Sequence, residues 1–176
     1  IVFASWDAEE YAMSSSTEWG EEHEAELREK AVAYLNVDAG VSGPDLAAIA
    51  VPSLAGLVAS TAGVDQRRIS TRVGGGSDYA VFLNHLGIPI VDLRFEGPNG
   101  VYHSAFDTHD WVTRFGDPGF LRHAELTRLW SSLATRLANA DVLPLDEERY
   151  ARSIGDFLDE ADRATTDAAQ AQRFPR

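Results

Sequence analysis

The chain has 176 residues, 44% of them hydrophobic, a formal net charge of −13 and no cysteine. That length suits one domain with a real core, and an acidic chain whose only lysine is Lys30 lacks the clustered cations that nucleic acid requires. Disulfide staples and thiolate metal sites are excluded, which leaves His, Asp and Glu as possible ligands; no apolar run is long enough to span a bilayer, and no charged-then-apolar leader opens the chain.

The first six residues, Ile1-Val2-Phe3-Ala4-Ser5-Trp6, read as a buried strand that delivers Asp7, Glu9 and Glu10 at its end. Open α/β sheets place their chemistry at such strand ends. Adjacent Glu9 and Glu10 cannot share one direction, so one can hold a metal while its neighbour reaches a bound water. The same acids would also suit the positive N-terminal end of a following helix, and both readings stand at this point. A core-type strand at residue 1 needs partners, so the chain is expected to be a piece of a longer protein.

Ser16 is placed to cap a helix containing Trp19 and running to Lys30, with His23 as a solvated surface histidine among glutamates. Residues 31–38 read as a second buried strand, again ending in an acid, Asp38. Two strands that each close on a carboxylate give what a metal site at one sheet edge needs. A loop over 39–44, a strand over 46–51 and a helix over 54–62 follow. Arg67 and Arg68 read as surface charges.

Gly74-Gly75-Gly76 lacks the lysine of a phosphate loop and, with Tyr79 two residues after Ser77, the glycine of a nucleophile elbow. The simpler expectation is a turn in which Ser77 caps a helix over 78–86, with His85 in a structural role. A strand over 88–94 leads to a turn-rich loop, out of which come Val101-Tyr102-His103-Ser104. Asp107 is expected either to orient His103 or to cap the next helix. Beyond Asp117-Pro118-Gly119, an amphipathic helix carrying Leu121, Leu126, Leu129, Trp130, Leu133 and Leu137 should pack on the sheet. Pro144 precedes a last helix over 145–168, whose scarcity of large apolar residues points to an interface or a neighbouring domain; residues from Thr165 onward are expected to be unstructured.

The run Phe3-Ala4-Ser5-Trp6-Asp7-Ala8-Glu9-Glu10-Tyr11, followed by Ser16-Thr17-Glu18-Trp19, resembles the central motif of zinc exopeptidases of the glutamate carboxypeptidase and transferrin-receptor type. Further matches follow in order: Tyr34-Leu35-Asn36-Val37-Asp38, Gly74-Gly75-Gly76-Ser77-Asp78-Tyr79, Leu86-Gly87-Ile88, and Tyr102-His103-Ser104 with Asp107-Thr108. The likeness covers about residues 1–150.

The resemblance implies an α/β three-layer sandwich, a central mixed sheet flanked by helices and incomplete at its N-terminus. Residues 1–143 would be the C-terminal portion of a zinc peptidase domain, and 144–176 a helical extension that opens a dimerisation domain. It implies two zinc ions in the complete protein and a partial site here: Glu10 and His103 on one zinc, Asp38 on the other, Glu9 as general base and Tyr102 beside the tetrahedral intermediate. The remaining two ligands of the family lie upstream of its Glu-Glu motif, and His23, His85, His109 and His123 do not match the missing histidine. Gly76, Ser77 and Arg94 are the implied substrate contacts, although Ser77 and Asp92 replace an asparagine and an arginine of the glutamate-specific members. The family's glycines after the Glu-Glu pair are replaced by Ala12 and Ser15, so the local turn is expected to differ.

A peptide substrate, no nucleic acid, a homodimer, a membrane anchor outside this segment and a secreted or extracytoplasmic setting complete the expectations drawn from the resemblance. The other reading is a binding module on the same fold, as in the transferrin receptor, which has lost its metals. Joint retention of Glu9, Glu10, Asp38 and His103 favours the enzyme.

Overall fold

The computed structural model describes residues 1–173. Four strands form one mixed sheet in the order β1-β4-β2-β3: β1 (Tyr34–Asn36), β2 (Asp45–Ala50), β3 (Ile69–Ser70) and β4 (Ile90–Glu96). β1 runs parallel to β4 and β3 parallel to β2, whereas β2 and β4 are antiparallel, pairing from Asp45 with Glu96 to Ala50 with Val91. Residues 90–93 and Phe95 of β4 are buried, as a strand flanked on both faces must be. Pro89 and a left-handed Gly87 (φ 71°) set up its entry.

The helices flank this sheet as the layers of an α/β sandwich. α1 (Ser14–Glu22) and α2 (Glu24–Lys30) accompany a π-helical segment, Val81–His85. α3 (Pro52–Ala62), α5 (Leu121–Ala138) and α6 (Glu147–Arg173) form the second set, and a short α4 (His109–Trp111) continues into a π-turn over Val112–Gly116. α3 starts with Pro52 in its first turn and stops at left-handed Gly63, the preferred residues at those two ends. Leu54 and Val58 of α3, Ile90, Val91 and Leu93 of β4 and Leu133 of α5 are fully buried at the centre of the core.

The sequence reading needs correction at several points. Residues 1–6 form no strand: Ile1, Val2 and Phe3 are 77%, 79% and 74% exposed, because no ladder partner lies against them among the described residues. The Phe3 ring meets Trp130 edge-on with centroids 5.7 Å apart, and Trp6 is the firmer anchor, packing on Trp19 and Phe82 and donating its indole N–H to the Tyr34 hydroxyl at 2.9 Å. The second strand shortens from 31–38 to three residues, so Asp38 lies beyond its end.

The helix expected to start at Ser16 begins at Ser14 and breaks at His23. Ser16 is fully buried and gives its hydroxyl to Asp78 Oδ1 at 2.5 Å instead of capping. His23 is half-buried, not solvated: its ring stacks on Trp19 with centroids 4.4 Å apart, since an aromatic neighbour one turn earlier offers an apolar face. α2 closes over the π-segment, where the Arg28 guanidinium donates to the carbonyls of Leu86 (3.1 Å) and His85 (2.7 Å); cations suit carbonyls left over at a helix end. His85 sits 3.4 Å from Glu24.

α5 is amphipathic as expected, with Leu126, Leu129 and Leu133 buried, but Leu121 is 72% exposed. α6 meets its own chain over its first half. Tyr150, Ile154 and Phe157 face Val51, Pro52, Val73 and Leu83 across a groove of about 370 Å³, and Arg72 pairs with Glu160. The helix continues to Arg173, past Thr165 where disorder was expected; residues 174–176 lie outside the described residues.

Candidate active site

The acidic turn that carries Glu9 and Glu10 is built from unfavourable backbone. Ala8, Ala12 and Met13 take positive φ values of 54°, 64° and 54°, a region that L-residues avoid and glycine enters freely. Glycine would suit such a turn without strain, and here Ala12 and Met13 hold it. Bonds from Met13 N to Glu9 O (2.7 Å) and from Ser14 N to Ala8 O (3.2 Å) close it. Ser15 Oγ, accepting from Asp7 N at 3.1 Å, ties the approach to the start of α1.

The turn faces the loop after β4. His103, another left-handed residue (φ 57°), brings Nε2 to 2.8 Å from Glu10 Oε1, and Tyr102 stacks on its ring with centroids 3.9 Å apart. Strain of this kind concentrates at functional sites. The pair opens onto a cleft of about 1050 Å³ whose walls include Asp38, Gly76, Ser77, Arg94 and Asp107. Glu9, half-buried behind Glu10, does not line the cleft itself, but it lies within the field of Asp38, Glu10 and Asp78. Burial first, then those three carboxylates, raise its pKa above the usual glutamate value, and His103 pulls the other way. The Tyr102 hydroxyl is raised likewise, by burial and then by Asp38, Glu10 and Glu9.

Two expectations about neighbouring residues change. Ser77 is buried and caps no helix: its hydroxyl donates to Asp38 Oδ2 at 2.9 Å. The helix that follows is π-helical over Val81–His85 and has no side-chain cap, so the hydroxyl is left to the carboxylate. Asp107 is exposed and caps nothing, because Thr108 Oγ1 accepts the Trp111 N–H (3.3 Å) at the start of α4, and His103 faces Glu10. Arg94 is already engaged, donating from Nε to Glu96 Oε2 (2.9 Å) and from NH1 to Asp92 Oδ2 (3.3 Å).

The sequence reading did not single out Asn36, and it noted Asp92 only as a replacement. Both are buried, and Asn36 Nδ2 donates to Asp92 Oδ1 at 2.9 Å. The available signal was a polar residue in the middle of each apolar strand, which must find a partner once buried. Asp117 was read as punctuation only. Its carboxylate accepts the backbone N–H groups of Arg122 (3.1 Å) and His123 (3.0 Å) at the start of α5 and the His123 ring at 2.7 Å.

As a metal site the arrangement fits in kind and falls short in number. Carboxylate oxygen and imidazole nitrogen are the donors zinc prefers. Among the described residues, however, no group of three or more His, Asp or Glu side chains converges to hold an ion. Glu10 and His103 offer two donors at one position, and Asp38 stands apart from them.

Residues 1–117 match the model of the family described as "Peptidase family M28". The chain belongs to peptidase family M28. Among its M28 relatives are the "Probable glutamate carboxypeptidase LAMP1" of Arabidopsis thaliana, 40% identical over 88% of this chain, and the mouse "Aminopeptidase NAALADL1", 34% identical over 93%. The "Inactive zinc metalloprotease C354.09c" of Schizosaccharomyces pombe is 36% identical over 90%. Each match takes in 25%, 27% and 22% of the relative's own length, so the chain spans about a quarter of the curated relatives it resembles.

Proposed function

We propose that this M28 chain is the C-terminal part of the catalytic domain of a zinc exopeptidase, which hydrolyses peptide bonds at one end of a chain. The observation that carries the reading is the 2.8 Å approach of Glu10 to His103 at a cleft that Asp38 also lines, with Glu9 within the field of Asp38, Glu10 and His103. Glu10 and His103 would hold one zinc and Asp38 a second, with the other ligands supplied from elsewhere in the whole protein. Bound there, zinc supplies a Lewis acid for the scissile carbonyl and lowers the pKa of its water.

The chain's own residues do the rest. Glu9 takes the proton of the attacking water on its carboxylate and returns it to the leaving amine. Tyr102, whose hydroxyl is held above its ordinary pKa first by burial and then by Asp38, Glu10 and Glu9, donates to the developing oxyanion. The zinc and the exopeptidase activity belong to the whole protein, to which this chain contributes the base and part of the ligand set.

The second reading, a non-catalytic binding module, is supported by the S. pombe relative named inactive. One experiment separates the two: zinc content and hydrolysis of peptides blocked at either end, for the full-length protein and its Glu9→Gln variant. The enzyme reading expects bound zinc in both and a loss of turnover of roughly 10²–10⁴-fold in Glu9→Gln. A full-length protein with neither zinc nor turnover would sink it and leave the binding module.

A further inference from the structure

A line of hydrogen bonds connects the interior of the sheet to the cleft. Asn36 on β1 uses its single amide nitrogen twice, donating to Asp92 Oδ1 on β4 at 2.9 Å and to Ser77 Oγ at 3.1 Å. Ser77 in turn donates to Asp38 Oδ2 at 2.9 Å, and at the far end Asp92 Oδ2 accepts from Arg94 NH1 at 3.3 Å. Asn36 and Ser77 are each 4% exposed and Asp92 6%, so the two links that Asn36 makes are shielded from water.

The direction of every link follows from what each group can offer. Asp92 accepts at both oxygens, which obliges Asn36 to present nitrogen and not oxygen to it. The second hydrogen of that nitrogen meets Ser77, whose oxygen therefore accepts. A hydroxyl has one hydrogen, and Ser77 has only Asp38 left to give it to.

We infer that Asn36, Asp92 and Ser77 are positioning residues for the proposed metal ligand Asp38: the line aims the Ser77 hydrogen at Oδ2, fixes the rotation of the carboxylate and leaves Oδ1 for a cation. This rests on the reading of Asp38 as a zinc ligand. Ser77 is thereby committed to Asp38, and Arg94 to the Asp92 end of the same line.

The test is zinc affinity of the full-length protein, measured by competition with a chelator, beside its thermal unfolding midpoint. Ser77→Ala removes the donor and is expected to weaken zinc binding by about 10–100-fold, the usual effect of losing a partner that orients a ligand. Ser77→Thr keeps the hydroxyl and should stay near the parent affinity. Asn36→Leu leaves the Ser77 hydroxyl unaimed and should also weaken binding; combined with Ser77→Ala it should add little, because both changes break one line. Unchanged zinc affinity in Ser77→Ala, with only a lowered unfolding midpoint, overturns the inference and leaves the zinc reading intact. A parent protein that binds no zinc removes both. Should Asn36→Leu not fold, the Ser77→Ala and Ser77→Thr pair decides alone.

Discussion

Ala12 and Asp117 show how single residues carry the geometry around the cleft. Ala12 is exposed and left-handed (φ 64°), so its methyl adds strain and no packing. Relieving a left-handed alanine outweighs the entropy cost of a glycine, and Ala12→Gly is expected to raise stability by about 0.5–1 kcal/mol. An unchanged or lowered unfolding midpoint in that variant would show the turn to be unstrained. Asp117 works in the opposite sense, holding together the start of α5. Burial alone would raise its pKa, but the His123 ring and the backbone N–H groups of His123 and Arg122 outweigh that, and the net shift is downward. A depressed acid stabilises the fold above its unfolded pKa of about 4 and loses that contribution as pH falls through its lower folded value. Asp117→Ala should therefore cost roughly 0.5–2 kcal/mol at pH 7, as loss of a helix cap does, with the gap to the parent closing in more acidic solution. Denaturant unfolding at a series of pH values measures both.

At the scale of elements, α5 separates pattern from packing. Leu121 and Leu133 belong to the same apolar series in sequence, yet Leu121 is 72% exposed and Leu133 fully buried. Leu133→Ala is expected to destabilise by about 2–5 kcal/mol and Leu121→Ala by no more than about 0.5 kcal/mol. Similar losses for the two would mean that α5 is docked by another face. The approach of β2 and the exit of β4 meet through glycines: a Cβ on Gly43 would come within 2.5 Å of the Gly97 backbone. This contact holds together the loops that form one wall of the cleft. The π-helical segment Val81–His85 was invisible as such, because three apolar residues followed by Asn84 and His85 fit an ordinary helix equally well and the pattern does not select the wider turn.

At the scale of the molecule, the site is divided. The cleft, the proposed base and three of the proposed ligands lie in this chain, while no group of three or more ligands converges among the described residues. Chelating zinc from the full-length protein should abolish peptide hydrolysis, and restoring it should recover the activity. The isolated 176-residue chain, with Glu10 and His103 as its two-donor pair, is expected to bind zinc more weakly than the full-length protein in the same chelator competition. Equal affinities would show that this chain completes a site by itself.

Much of this was legible in the sequence. The strand β4 and the helices α3 and α5 follow from apolar runs, apolar periodicity and the break at Pro52, which are local signals, and the α/β layering from the resemblance. The ordered motifs pointed to Glu10 and His103, which the fold brings within 2.8 Å of each other, and to Asp38, which lines the same cleft. What tertiary structure alone decided is partnership. Residues 1–6 have the composition of a strand and remain unpaired, since a strand exists only against a neighbour. Ser77 has the spacing of a helix cap and instead serves Asp38, because a buried hydroxyl goes to the strongest acceptor within reach, and which acceptor that is depends on how β1, β4 and the glycine loop converge.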